Sequence, residues 1–267
     1  MTVDMTVLPS LDHLPGRTGM RQVVRAEWFK LRSLRSTTWT LLATVLGSLG
    51  VTVLATNSVQ RHGPSMGFDP TNHSLTGLAL GSLTIGVLGV LAITAEYSSG
   101  TIRSTLAATP RRPVLFGAKA IVVGLVSLVG GEVLTFACFA IGQGVLSGRA
   151  PTASLGDPGV LRALVLTGAY LALLGLFGLA LGVIIRHTAG AIATYVGVIF
   201  LIPIFLQPLS SSGNPGRFAP EQMLANSVAA VVPQSGQVTA PLACLLMVAY
   251  CAVVLAAAMM LLRARDA

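Results

Sequence analysis

Six stretches of this chain are almost free of charge, and each is long enough to cross a lipid bilayer: Thr38 to Asn57, Leu75 to Ala95, Val114 to Leu146, Leu161 to Ile185, Ala189 to Leu206 and Leu242 to Leu262. A bilayer core of about 30 Å takes roughly 20 apolar residues as a helix, which satisfies its backbone donors and acceptors internally. These runs predict an all-α polytopic membrane protein with six transmembrane helices. Composition agrees, with 53% hydrophobic residues, 10% charged residues and a mean hydropathy of +0.79. A soluble domain carries about 25% charged residues, so a water-exposed globular surface is excluded. The third run exceeds what a bilayer needs and should tilt or break, with Gly130-Gly131 marking the place. The first is full length and follows a polar segment with no short apolar region, which fits an uncleaved anchor.

Basic residues outnumber acidic ones 17 to 9, for a net charge of +8. Their position explains the excess. Arg17, Arg21, Arg25, Lys30, Arg32 and Arg35 precede the first span; Arg103, Arg111, Arg112 and Lys119 join the second to the third; Arg186 joins the fourth to the fifth; Arg263 and Arg265 follow the sixth. The alternate side receives only Arg61, Arg149, Arg162 and Arg217. Thirteen against four puts both termini in the cytoplasm of a multi-pass plasma-membrane protein. The charge is thus topological and calls for no nucleic acid.

Ahead of the spans, residues 1–19 read as a disordered cytoplasmic tail and residues 20–37 as an interfacial amphipathic helix; 38–267 form the six-span domain. On a helical wheel Arg21, Arg25, Arg32 and Arg35 share one arc, while Val23, Val24, Trp28, Leu31 and Leu34 share another. Glu27 interrupts the apolar side. Arginines beside an interfacial tryptophan suit a helix lying at the headgroup level, so Arg21, Arg25, Trp28 and Arg32 are its candidate functional residues.

The most informative connection joins spans two and three, from Glu96 through Pro113. Ser98 or Ser99 can cap a helix, Ile102 and Leu106 share a face, and Pro110 ends the helix after about two turns. Two turns are unstable alone, so this helix should dock on another protein or on its own spans.

A charged first helix, a short helix opening with Glu-x-x-x-Gly-Thr-Ile-Arg and closing with Thr-Pro-Arg-Arg, and six spans together resemble the permease subunits of ABC-2 type transporters. Gly182 to Ala191, GVIIRHTAGA, resembles the tight cytoplasmic turn between spans four and five of that family. The resemblance implies a permease paired with a separate ABC-type ATP-binding subunit and with a second permease copy, identical or related. It assigns ATPase coupling to Glu96, Gly100, Thr101, Ile102, Arg103, Leu106, Pro110 and Arg111, the short cytoplasmic coupling helix.

The residues support that division of labour independently. A P-loop needs Gly immediately before its Lys, but Lys30 follows Phe29 and Lys119 follows Ala118. The chain is therefore expected to be no enzyme and to bind no cofactor, with ATP and Mg held by the partner. Glu132 is the one acidic residue well inside a span, either lining a translocation path or joining a polar network between protomers, or else packed as a neutral, hydrogen-bonded side chain. Cys138, Cys244 and Cys251 lie in apolar runs, and the histidines show no metal spacing. Gly77 and Gly81, and Gly178 and Gly182 with Gly175 nearby, form GxxxG patterns suited to close helix packing. Beyond the fifth span, Ser210 to Gly216 reads as an outer loop and Pro220 to Val232 as a short amphipathic helix. The expected function is ATP-driven export of a hydrophobic or amphipathic compound such as a drug, peptide antibiotic or lipid-like molecule. The alternative is an ion-gradient-driven secondary transporter that protonates Glu132.

Overall fold

The computed structural model describes residues 19–33, 35–62, 68–109, 111–148, 150–206, 215–228, 230 and 238–264. Among them there is no strand, and six helices are long and apolar enough to cross a membrane. Helix α1 (Met20–Ser33) precedes α2 (Arg35–His62), which contains the first span, Thr38–Ser58. A short α3 (Pro70–Ser74) leads into α4 (Leu78–Ser98), and a second short helix, α5 (Ile102–Ala108), into α6 (Arg112–Leu146). Then come α7 (Val160–Ile185), α8 (Thr188–Val196) and α9 (Ile202–Leu206), the short α10 (Pro220–Val228) and the last span, α11 (Ala240–Ala264).

The fifth span, Thr188–Phe205, runs through α8 and α9 by way of a π-helical turn, Gly197–Leu201. Pro203 explains the wider turn. Its ring would press on the carbonyl of Ile199 four residues earlier, and the π turn relieves that crowding without breaking the span. Of the tilt or break expected for the third span, a break at Gly130-Gly131 does not occur: α6 is one continuous helix of 35 residues. At about 1.5 Å per residue it is roughly 50 Å long, so it is tilted or extends beyond the hydrocarbon.

The centre of the bundle is α7, packed against α4, α6 and α11, while α2 lies against α4 and α6. Of its most apolar window 72% is buried, against 17% for the first span and 22% for the fifth and sixth. Glycine brings the backbones together. A Cβ on Gly89 would collide with the carbonyl oxygen of Gly175, and one on Gly178 with that of Gly86. The α7 pattern Gly175, Gly178 and Gly182 therefore meets Gly86, Gly89 and Val90 of α4 rather than the other GxxxG pair. Gly77 and Gly81 face Ser48 of α2 and Leu134 of α6 instead. Gly131 permits the approach of α7 to α6, where an added Cβ would stand 3.0 Å from the Gly168 oxygen.

The connections sort to two ends. At one, Asp69 caps α3 by accepting from Thr71 N at 2.9 Å and also accepts from Ala230 N at 3.0 Å. Gln143 of α6 donates to Ser74 Oγ at 3.0 Å and accepts from Ala153 N at 2.8 Å. Helix α10 buries Met223, Leu224 and Val228, and the Tyr170 hydroxyl donates to Pro220 O at 2.6 Å. Of the segments read from sequence, Ser210 to Asn214, Ala229, Val231 and Val232 lie outside the described residues, and Pro215–Phe218 is a 3-10 turn. At the other end gather α1, α5, the α7–α8 turn and the end of α11.

Candidate functional site: a buried charge cluster at the base of α5

Three helices supply the cluster. Glu27 and Lys30 stand on α1 one turn apart, Glu96 on the last turn of α4 and Lys119 in the second turn of α6. The Lys119 ammonium donates to Glu27 Oε2 at 2.6 Å and to Glu96 Oε1 at 2.7 Å. Lys30 donates to Glu96 Oε1 at 2.6 Å and to Glu27 Oε1 at 3.2 Å. The Lys119 side chain is 2% exposed, those of Glu27 and Glu96 are 8% and 7%, and that of Lys30 is 40%. Two cations and two carboxylates cancel, which is what permits their burial. Burial alone would pull the Lys30 ammonium down, but its hydrogen bond to Glu96 and the charges of Glu27 and Glu96 outweigh this and raise it above its ordinary value.

The rest of this end is also tied by polar groups. Arg112 Nη1 donates to Leu262 O at 2.8 Å, closing the end of α11 onto the start of α6. Arg186, with φ +58°, ends α7, and its guanidinium lies 5.4 Å from the Tyr97 ring centre. His187 then caps α8, its Nδ1 accepting from Gly190 N at 3.2 Å. This is the physical content of the Arg-His-Thr-Ala-Gly stretch.

Helix α5 follows directly from the cluster. Ser98 and Ser99 do not cap it as the sequence suggested; Ser98 ends α4, and Ser99 is that helix's C-cap, with its hydroxyl on Ala95 O at 2.8 Å. The chain reverses at Gly100, whose φ of +72° strains any residue with a Cβ. Thr101 precedes the first turn of α5, and its carbonyl accepts from Ser104 Oγ and Thr105 Oγ1. Ile102 is buried against Ile93, Phe116 and Val123, and Leu106 packs partly buried beside Val23 and Leu115. Arg103, Ser104, Ala107, Ala108 and Arg111 remain exposed. The apolar face of α5 is thus spent on the chain's own spans, and Pro110 lies outside the described residues.

On α1, Arg21, Arg25 and Arg32 are exposed, and Trp28 is 40% exposed. Val23 and Glu27 face the bundle. Glu27, which interrupts the apolar arc, is therefore the residue that docks the helix. Glu132 sits apart on α6, its carboxyl over Gly168 of α7, with Oε2 buried and unbonded among the described residues. Sequence reasoning missed the cluster of Glu27, Lys30 and Lys119 with Glu96. The available signal was a pair of costly placements, an acid on an apolar arc and a lysine within an apolar run.

A sequence model of the ABC-2 family transporter protein matches residues 23–212, taking in α1 from Val23 onward, the charge cluster, α5 and the first five spans. The chain belongs to the ABC-2 transporter family. It is a multi-pass transmembrane subunit of an ABC transporter, and membership implies an ABC-type ATP-binding partner. A comparison with curated proteins finds no match. The matched region of this ABC-2 chain contains every residue of the cluster.

Proposed function

We propose that this ABC-2 chain is the permease half of an exporter, driven by a separate ATP-binding subunit that holds ATP and Mg and presses on α5 and α1 from the cytoplasm. Both termini lie on that side of the plasma membrane, and a second permease, identical or related, completes the pathway. The carrying observation is the Glu27–Lys119–Glu96–Lys30 cluster. Because it joins α1 to the roots of α4 and α6, displacement of α1 or α5 moves the second and third spans together. Closure of the partner ATPases then shifts the spans between inward and outward access.

Within this reading Ile102 and Leu106 anchor the coupling helix, while Arg103, Ser104, Ala107 and Arg111 present it to the partner. A groove of about 410 Å³ between α1 and α5, floored by Glu27 and Lys30 and edged by Ser104 and Ala108, supports docking there. The cargo is hydrophobic or amphipathic. An apolar pocket of about 230 Å³ between α2, α4 and α6, lined by Leu41, Val45, Ile85 and Val133, supports that character. A gradient-driven carrier built on Glu132 has less support, since among the described residues that carboxylate forms no ion pair.

Gentle purification of the tagged chain from its own cells should bring an ATPase with it. Arg103→Glu combined with Ala107→Glu should cut that retention at least about tenfold, the loss of roughly 1.4 kcal/mol of binding. Transport in vesicles should need the ATPase and ATP. Unaided pumping, or full ATPase retention by the double variant, would overturn the assignment.

A further inference from the structure

The crevice between α1 and the first half of α6 has a volume of about 650 Å³ and two unlike walls. One carries Arg21 and Arg25 of α1, with Trp28 beside them; the other is Ile121 and Leu125 of α6. Among the described residues neither arginine enters an ion pair, and the guanidinium of Arg25 rests 5.6 Å from the Phe29 ring centre. Among the described residues Glu27 and Glu96, the acids of α1 and the end of α4, point into the bundle and are held by Lys30 and Lys119. Among the described residues the crevice is therefore a positive slot with no free carboxylate beside it. Its apolar wall continues outward. Ile121, Leu125, Val129 and Val133 are 51%, 52%, 55% and 61% exposed, one helical turn apart along the same face of a membrane-spanning helix. Twelve residues of helix make a track of about 18 Å, the length scale of an acyl chain.

We infer that this crevice binds an anionic glycerophospholipid, its phosphate on Arg21 and Arg25 and one acyl chain laid along Ile121 and Leu125. Arginine forks match phosphate oxygens in geometry and charge, and basic pockets beside spans at the cytoplasmic leaflet take acidic headgroups. A soluble protein segment fits less well, because the apolar track runs along a face that belongs to the hydrocarbon. The inference rests on the proposed reading that α1 lies at the cytoplasmic surface. It adds that the charge cluster holds α1 at the depth where its outer arginines meet headgroups while Lys119 is sealed beneath. Lipid charge would then set how firmly α1, and through it α4 and α6, is seated.

The test is native mass spectrometry of the detergent-purified complex titrated with phosphatidylglycerol or phosphatidylcholine of matched chains, with ATPase retention scored on the same preparations. Phosphatidylglycerol should be retained preferentially. Arg21→Gln and Arg25→Gln should each lower that preference about fivefold, the fold-change for roughly one surface charge, and Arg32→Gln, outside the crevice, should not. Leu125→Trp fills the apolar wall without altering charge and should displace both lipids. Equal retention of the two lipids, or unchanged preference in the doubly substituted chain, would overturn the inference. So would loss of the ATPase with lipid retention intact, which would assign the arginines to a protein partner. Loss of lipid preference with the ATPase retained would support the lipid site whatever becomes of the coupling assignment.

Discussion

The Lys119 ammonium lies 2.6 Å from Glu27 Oε2, joining the third span to a helix that precedes the first. Neither charge is tolerable where it stands without the other. A lysine 2% exposed needs a carboxylate, and an acid on the inner face of α1 needs a cation. The pair therefore fixes where α1 docks, which places the base of α5 against α1, α4 and α6.

Removing one member of the cluster should be far worse than removing a matched pair. Lys119→Met leaves two buried carboxylates sharing Lys30 and is expected to cost about 3 to 5 kcal/mol. Adding Glu27→Gln should return part of that loss. Thermal unfolding in detergent reads both, and additive losses in the double variant would show that the two residues do not act together.

The two faces of α5 should separate stability from coupling. Ile102→Asp places an unpaired charge in a buried site, so the whole chain should be destabilised by several kcal/mol. Arg103→Glu with Ala107→Glu lies on the exposed face and should leave unfolding within about 0.5 kcal/mol while reducing ATPase-dependent transport. If both substitutions reduce stability alike, α5 has no free face to offer.

Glycines in α6 and α7 should respond according to what lies opposite. Gly178→Ala drives a Cβ into the Gly86 carbonyl of α4 and should cost about 1 to 3 kcal/mol as the helices part. Gly130→Ala meets nothing within 4 Å and should be neutral or slightly stabilising, because alanine is the better helix former. A large loss at Gly130 would restore a special role for that glycine in bending the span.

Stability should fall as pH rises through the range set by Glu221, on α10 outside the spans. Burial pushes its carboxyl from 4.5 up to about 7. A folded value above the unfolded one means the folded chain holds the extra proton between them. This contribution is fully present below about pH 4.5 and is lost as pH climbs to about 7. Glu221→Gln carries no titrating proton, so its melting temperature should drop less between those limits than that of the unsubstituted chain. Parallel curves would show that Glu221 is solvated.

Glu132→Gln separates packing from protonation at the remaining intramembrane carboxyl. With the proposed export mechanism, ATP-driven transport should stay within about twofold, since the amide keeps the shape over Gly168 and no bond to Oε2 is lost. A collapse of transport, with folding intact, would place Glu132 on the cargo or proton path.

Much of the architecture was legible in the chain alone because a bilayer makes length and charge decisive. Apolar runs had to become helices, and Thr38–Ser58, Arg112–Leu146 and Val160–Ile185 differ from the expected spans by at most two residues at either end. The helix at Ile102–Ala108 was likewise readable from its short apolar face and flanking turn residues, as was the turn at Arg186. Three matters were settled only by tertiary structure. Whether Gly130-Gly131 bends α6 or merely admits α7 depends on the neighbouring helix, which no local pattern encodes. The glycines that meet across α4 and α7, Gly89 with Gly175 and Gly86 with Gly178, lie in different runs far apart in the chain, so GxxxG spacing could name one partner and not the other. The meaning of Glu27 and Lys119 changed most. Read locally, one spoiled an amphipathic arc and the other added a count to the inner loops; their pairing across 92 positions turns both into the joint that seats α1. A charge's solvation free energy depends on what surrounds it in space, so composition and spacing set where charges were costly, and only packing showed what neutralised them.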